Sequence, residues 1–172
     1  KTFEDICKSA EILQQNENYK AASELFLEAL PLSEKPVEKI YVYTSLGKLF
    51  QKNKEVEKSI ENFEKALPCF EGFKEQVFSE EQAVIHNNLG ALYYEKDPTS
   101  SIENYQKALD IFKRLRNNNK DQYTAQTGST HFAMAYALVK NRNNQEAKKH
   151  FKEAIKSFET LNNTQFGPVM AS

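Results

Sequence analysis

SIENFEKAL at Ser59–Leu67 and SIENYQKAL at Ser101–Leu109 are nearly the same nine residues, 42 positions apart. Each places a small residue, an aromatic ring four later and an alanine three beyond on one helical side, because positions i, i+4 and i+7 share a face. Reduced to that pattern, the phrase recurs near both ends as Ala22, Phe26, Ala29 and as Ala147, Phe151, Ala154. Four copies in one short chain mean that a repeat organises the molecule. Upstream of the two central copies lies a second shared phrase, SLGKLF at Ser45–Phe50 and NLGALY at Asn88–Tyr93. Two helices per repeat follow, and eight in all.

Leu46, Gly47 and Phe50 fall at i, i+1 and i+4, as do Leu89, Gly90 and Tyr93. A glycine inside a helix costs about 1 kcal/mol relative to alanine, so close packing must compensate. The expected compensation is approach of the second helix, with Ser59 or Ser101 opposite the glycine and Phe63 or Tyr105 filling the wedge. Met134, Ala135, Leu138 and Ser9, Ala10, Leu13 take the corresponding places in the outer copies. These lose the flanking leucine, as end repeats of a stacked array do.

Punctuation residues set the element boundaries. The pattern predicts helices over 3–15 and 19–30, with Pro31 ending or kinking the second, then 36–51 and 55–71, with Pro68 as a kink and Gly72 as a stop. SEEQ at Ser79–Gln82 reads as a capping box, and Asp97-Pro98 starts the next helix through Arg116. The last pair spans 121–140 and 145–161, and Asn117–Asn119 and Asn141–Asn144 read as turns. Repeats over 3–33, 36–76, 79–116 and 121–161 therefore form one helical domain, 1–161, followed by a tail, 162–172. Gly167 and Pro168 stop any helix there, and Phe166 is a candidate to dock on the last helix. Gly128 reads as helical filler.

The pattern Leu-Gly-x-x-Tyr followed by Ala-x-x-x-Phe-x-x-Ala resembles the tetratricopeptide (TPR) repeat. Spacings of 37, 42 and 46 between successive small residues exceed the family's common period of about 34. They are closer to the extended form of kinesin light chain-type adaptors, which IHNNLGALYYEKDPTSSIENYQKALDIF (Ile85–Phe112) resembles in particular. The family's first-helix Trp is replaced by Tyr43, His86 and His131, and its closing Pro is displaced to Pro31 and Pro68. The resemblance implies an all-α right-handed α-solenoid of about four TPR-like helix-turn-helix repeats. It further implies a non-catalytic protein-protein interaction module whose first helices line a concave groove for a peptide or partner helix.

Carried over position by position, that groove takes Tyr41, Thr44, Lys48 and Lys52 from the second repeat. It takes Asn87, Asn88 and Tyr94 from the third, and Phe132 and Tyr136 from the fourth. Asparagine offers both a donor and an acceptor to an extended backbone, and the rings offer apolar anchors. The chain also uses asparagine freely in turns, so composition alone supplies amides. Lys48 and Lys52 suit an acidic segment. The chaperone-tail clamp of related domains maps to Thr44, Lys48, Asn88, Ser129 and Ala133, where only Asn88 carries the required residue. A chaperone C-terminal tail is therefore disfavoured as partner.

Composition narrows the alternatives. The 172 residues carry 23 Lys and Arg against 24 Asp and Glu, a balance that excludes the basic excess of a nucleic-acid binder. The longest apolar run, Phe132–Val139, falls far short of the roughly 20 residues of a membrane span. Cys7 and Cys69 are lone thiols suited to a reducing, cytoplasmic setting. No signal peptide or initiator Met opens the sequence, which reads as an excised domain. HExxH, CxxC, GxSxG and Gly-x-Gly are absent, so no cofactor, metal or catalytic residue is expected. His86 and His131 read as inter-repeat packing. Two further readings stay open: a structural or assembly subunit that self-associates, and the regulatory domain of a larger enzyme.

Overall fold

A computed structural model describes residues 1–74, 79–118 and 123–165. The expected docking of Phe166, the start of a helix at Asp121 and most of the expected tail lie outside them. The described residues form eight α-helices and no strand. They divide into two compact units, residues 1–77 and 78–172.

The first unit holds α1 (Phe3–Gln15), α2 (Tyr19–Ala29), α3 (Pro36–Lys52) and α4 (Val56–Ala66), each packed on its sequence neighbour. Thr2 opens α1 with a capping box, its hydroxyl accepting from the Asp5 N–H at 3.2 Å while the Asp5 carboxylate accepts from the Thr2 N–H at 3.1 Å. Pro36 sits in the first turn of α3, as expected. The prolines act differently from a kink. At Leu30–Leu32 and Leu67–Phe70 the chain tightens into 3-10 turns, so α4 ends at Ala66 instead of running to Glu71. Proline has no N–H to continue the i to i−4 ladder, and the shorter-span turn needs none there.

The second unit holds α5 (Ser79–Tyr93), α6 (Pro98–Asn118), α7 (Thr124–Lys140) and α8 (Asn144–Gln165). Asp97 caps α6 by accepting from the Ser100 N–H at 3.1 Å and hydroxyl at 2.6 Å. Asn117 and Asn118 are helical instead of turn, and α8 continues four residues beyond Leu161.

Three hairpin turns share one geometry. Glu17, Lys54 and Arg142 adopt positive φ of 58°, 62° and 59°, and the next N–H reaches back to Leu13, Phe50 or Leu138. This left-handed cap satisfies carbonyls that end α1, α3 and α7, and here no glycine supplies it.

The helix crossings follow the small-and-ring expectation and add a hydrogen bond. A Cβ built on Gly47 would lie 2.8 Å from the Phe63 ring, and one on Gly90 would lie 2.7 Å from the Tyr105 ring. The Ser59 hydroxyl donates to the Gly47 carbonyl at 2.7 Å, and Ser101 donates to that of Gly90 at 2.6 Å. The serine is thus a buried tie as well as a small residue. Gly128 is not filler: a Cβ there would lie 2.9 Å from the Ser157 Cβ and 3.1 Å from the Phe158 ring. Phe26, Phe50, Phe63 and Tyr105 are buried as expected, whereas Tyr93 and Phe151 are only half-buried.

Candidate functional site

In the first unit, the face shared by α1 and α3 carries part of the expected site. An open recess of about 280 Å³ is lined by Glu11, Gln14, Gln15, Tyr41, Ser45 and Lys48. The Tyr41 hydroxyl donates to the Glu11 carboxylate, and its ring meets Phe26 edge-on with centroids 5.7 Å apart. Burial and that carboxylate both push its ionisation upward, so it acts as a neutral donor. Lys48 and Lys52 are exposed, but Lys52 lies outside the recess. Thr44 is half-buried and its Oγ1 has no hydrogen-bond partner. Cys7 is buried among α1–α3 side chains, and burial pushes its thiol up.

A larger recess of about 870 Å³ lies on the α2 and α4 side of this unit, where sequence reading placed nothing. Two of its lysines are already paired locally, Lys58 with Glu55 and Lys65 with Glu61, each at 2.5 Å. The α1 and α3 face holds the positions that the resemblance assigns to the groove, and it is the better candidate.

In the second unit, α5 and α7 bring the other expected residues onto one face. Asn87 Nδ2 donates to Thr130 Oγ1 at 2.9 Å, which ties α5 to α7, and its Oδ1 is buried without a partner. Asn87 is therefore a stacking residue first. Asn88 is half-buried and makes no hydrogen bond among the described residues. The Lys140 ammonium sits 4.5 Å over the Tyr94 ring and pairs with Glu95, so Tyr94 is engaged on one side. Phe132 and Tyr136, 46% and 48% exposed, meet edge-to-face with centroids 5.0 Å apart. Phe151 of α8 joins them at 5.8 and 5.4 Å. Sequence reasoning assigned Phe151 to the core, because it is the ring four residues after the small residue, as Tyr105 is. The open edge of the cluster is legible only once α7 and α8 are paired.

The histidines pack within hairpins instead of between repeats. His86 Nδ1 bonds Asn104 Oδ1 across α5 and α6 at 2.9 Å, and His131 Nδ1 lies 2.8 Å from His150 Nδ1 across α7 and α8. For the second contact one ring must donate and the other accept, so at least the accepting ring is neutral and the pair cannot both be protonated. Burial lowers His131 to about 4, with the adjacent His150 adding to the effect, and burial also lowers His150 and His86. An unfolded chain protonates these rings near 6.5 while the folded chain resists, so stability falls as pH drops through that value. Acidification from pH 6.5 to 5 should lower the melting temperature, with His131 contributing on the order of 1–2 kcal/mol after solvent screening. A His131→Gln variant should show a flatter slope across this window, above the range where carboxylates titrate. Parallel slopes for variant and parent would refute the assignment.

Among the described residues, no three His, Cys, Asp or Glu side chains gather as a metal site. No described helix is long and apolar enough to cross a membrane.

Paired helices in four successive repeats, the two central pairs locked by a glycine against a ring, define a TPR-type helical-repeat protein. Solved structures share that fold. BtubC (BKLC) from P. vanneervenii superposes with a TM-score of 0.78 at 18% identity, covering 99% of this chain and 68% of that one. MamA from Desulfovibrio magneticus RS-1, from residue 41 to its end, gives 0.70 at 16% identity, covering 92% and 76%. At such identities the likeness concerns the fold alone. The chain itself belongs to the family described as "Uncharacterized protein conserved in bacteria (DUF2225)", whose profile matches residues 18–166. Among curated proteins, no sequence matches it.

Proposed function

We propose that the chain is a non-catalytic protein-protein interaction module that binds an extended peptide or partner helix on the α5 and α7 face. The observation that carries this reading is the exposed Phe132–Tyr136 pair, one helical turn apart on α7, together with Asn88 on the neighbouring α5, its amide unengaged among the described residues. Rings held by packing present apolar area at little entropy cost, and a free amide matches both backbone donors and acceptors. On the α1 and α3 face, Lys48, and Lys52 beyond it, supply positive charge for an acidic segment of the partner, while Tyr41, whose hydroxyl donates to Glu11, offers its ring. Thr44 and Asn87 support the helices behind these residues, and Tyr94 positions Lys140. Reduced Cys7 and Cys69 suit a cytoplasmic setting.

The test is calorimetry against the partner recovered with the intact protein. Asn88→Ala combined with Tyr136→Ala should weaken binding at least tenfold, the scale of a hot-spot loss, while the melting temperature stays close to the parent's. Unchanged affinity would reject this face.

A further inference from the structure

The last helix carries a seat that its counterpart two helices earlier fills. Aligned on Ser101 and Ala147, α8 repeats α6 with Phe151 for Tyr105, Ile155 for Leu109 and Phe158 for Phe112. In α6 those positions are covered by the following helix. Leu109 is 6% exposed and clusters with Met134 and Leu138 of α7, while Phe112 is 1% exposed and stacks on Tyr123 with centroids 6.1 Å apart. In α8 the same two positions lie open: Ile155 is 56% exposed and Phe158 is 40% exposed.

The flank of this seat also differs from its template. Where α6 has Ile102, Gln106 and Asp110, α8 has Lys148, Lys152 and Lys156. Spaced four apart, these lysines form one row beside Ile155, all exposed and without an ion-pair partner among the described residues. Three like charges in a row repel one another, and an opposing acidic row relieves that while apolar side chains cover the stripe.

The geometry points to a docking surface for an acidic amphipathic helix of a partner protein, seated on Ile155 and Phe158 as α7 is seated on Leu109 and Phe112. A second copy is the poorer fit. Where α3 turns Val42 and Leu46 inward against α1 and α2, α1 has Asp5 and Ser9 at the corresponding positions, both exposed. At those two positions a head-to-tail neighbour would thus offer polar groups to an apolar seat. This surface is separate from the α5 and α7 face, and neither depends on the other.

The test uses two labelled synthetic helical peptides in fluorescence anisotropy with the whole chain. Both carry an aromatic residue and two aliphatic residues in the register of Tyr123, Met134 and Leu138; one has glutamates on the flanking row and the other lysines. The acidic peptide should bind saturably and at least tenfold tighter than the basic one, with affinity falling as salt rises. Ile155→Asp should cut its binding tenfold or more without changing the melting curve, since that side chain is exposed. Reversing Lys148, Lys152 and Lys156 to Glu should transfer the preference to the basic peptide, while Asn88→Ala with Tyr136→Ala should leave the preference intact. Equal binding of both peptides, no binding of either, or failure of the reversal to switch preference would overturn the proposal. Concentration-dependent sedimentation that Ile155→Asp abolishes would also overturn it, by placing a second copy on the seat.

Discussion

Gly90→Leu is expected to cost the second unit more than about 3 kcal/mol, the upper range of overpacking penalties. Even the first added carbon would lie 2.7 Å from the Tyr105 ring, closer than packed carbon atoms approach. The ring cannot simply move away. Tyr105 is 5% exposed, held among Leu109, Met134, Leu138 and Ala147, and its burial pushes the phenol up to about 12. Separating α5 from α6 instead would stretch the 2.6 Å bond from Ser101 to the Gly90 carbonyl and leave a buried acceptor unpaired, a further cost of about 1–3 kcal/mol. Gly90→Ala should fall between, because its gain of about 1 kcal/mol in helix propensity opposes the clash. Urea denaturation followed by circular dichroism measures both, and an unchanged midpoint for the leucine variant would refute the crossing.

Phe63→Ala is expected to destabilise the first unit by about 3–5 kcal/mol, the usual cost of emptying a buried aromatic site. Phe63 is 0% exposed and its ring lies against Gly47, which has no side chain to refill the space. The same pair allows a sharper reading by double-mutant cycle. Gly47→Ala should destabilise the parent, where its Cβ would lie 2.8 Å from the ring. In the Phe63→Ala background the clash is gone, and the same change should become neutral or stabilising by up to about 1 kcal/mol. Additive effects would mean that glycine and ring do not share one contact.

The part of the fold that rests on spacing was legible in the sequence. Helix α1 runs from Phe3 to Gln15 as read, and Gly47 and Gly90 face the rings that the repeat assigns to them. What escaped was what spacing does not encode. Pro31 ends its helix as read, but Pro68 looks like a kink in one dimension and instead sits in a 3-10 turn that ends α4 early. Gly128 has no leucine beside it to mark a crossing, and its partners Ser157 and Phe158 match none of the motif positions. For the proposed site, the sequence names positions but not the engagement of each group. Asn87 and Asn88 are adjacent amides in the sequence, yet only Asn87 comes within reach of Thr130. The row of Lys148, Lys152 and Lys156 reads as an ordinary solvated face until the open Ile155 beside it is seen.

The account stands or falls on whether the α5 and α7 face meets another protein. A photo-reactive phenylalanine analogue at Tyr136, compared with one at the exposed Glu103 of α6, tests this in the native cell. The account predicts a discrete protein adduct from position 136 that Asn88→Ala diminishes and that position 103 does not yield. No adduct at 136, or the same adducts from both positions, would contradict it.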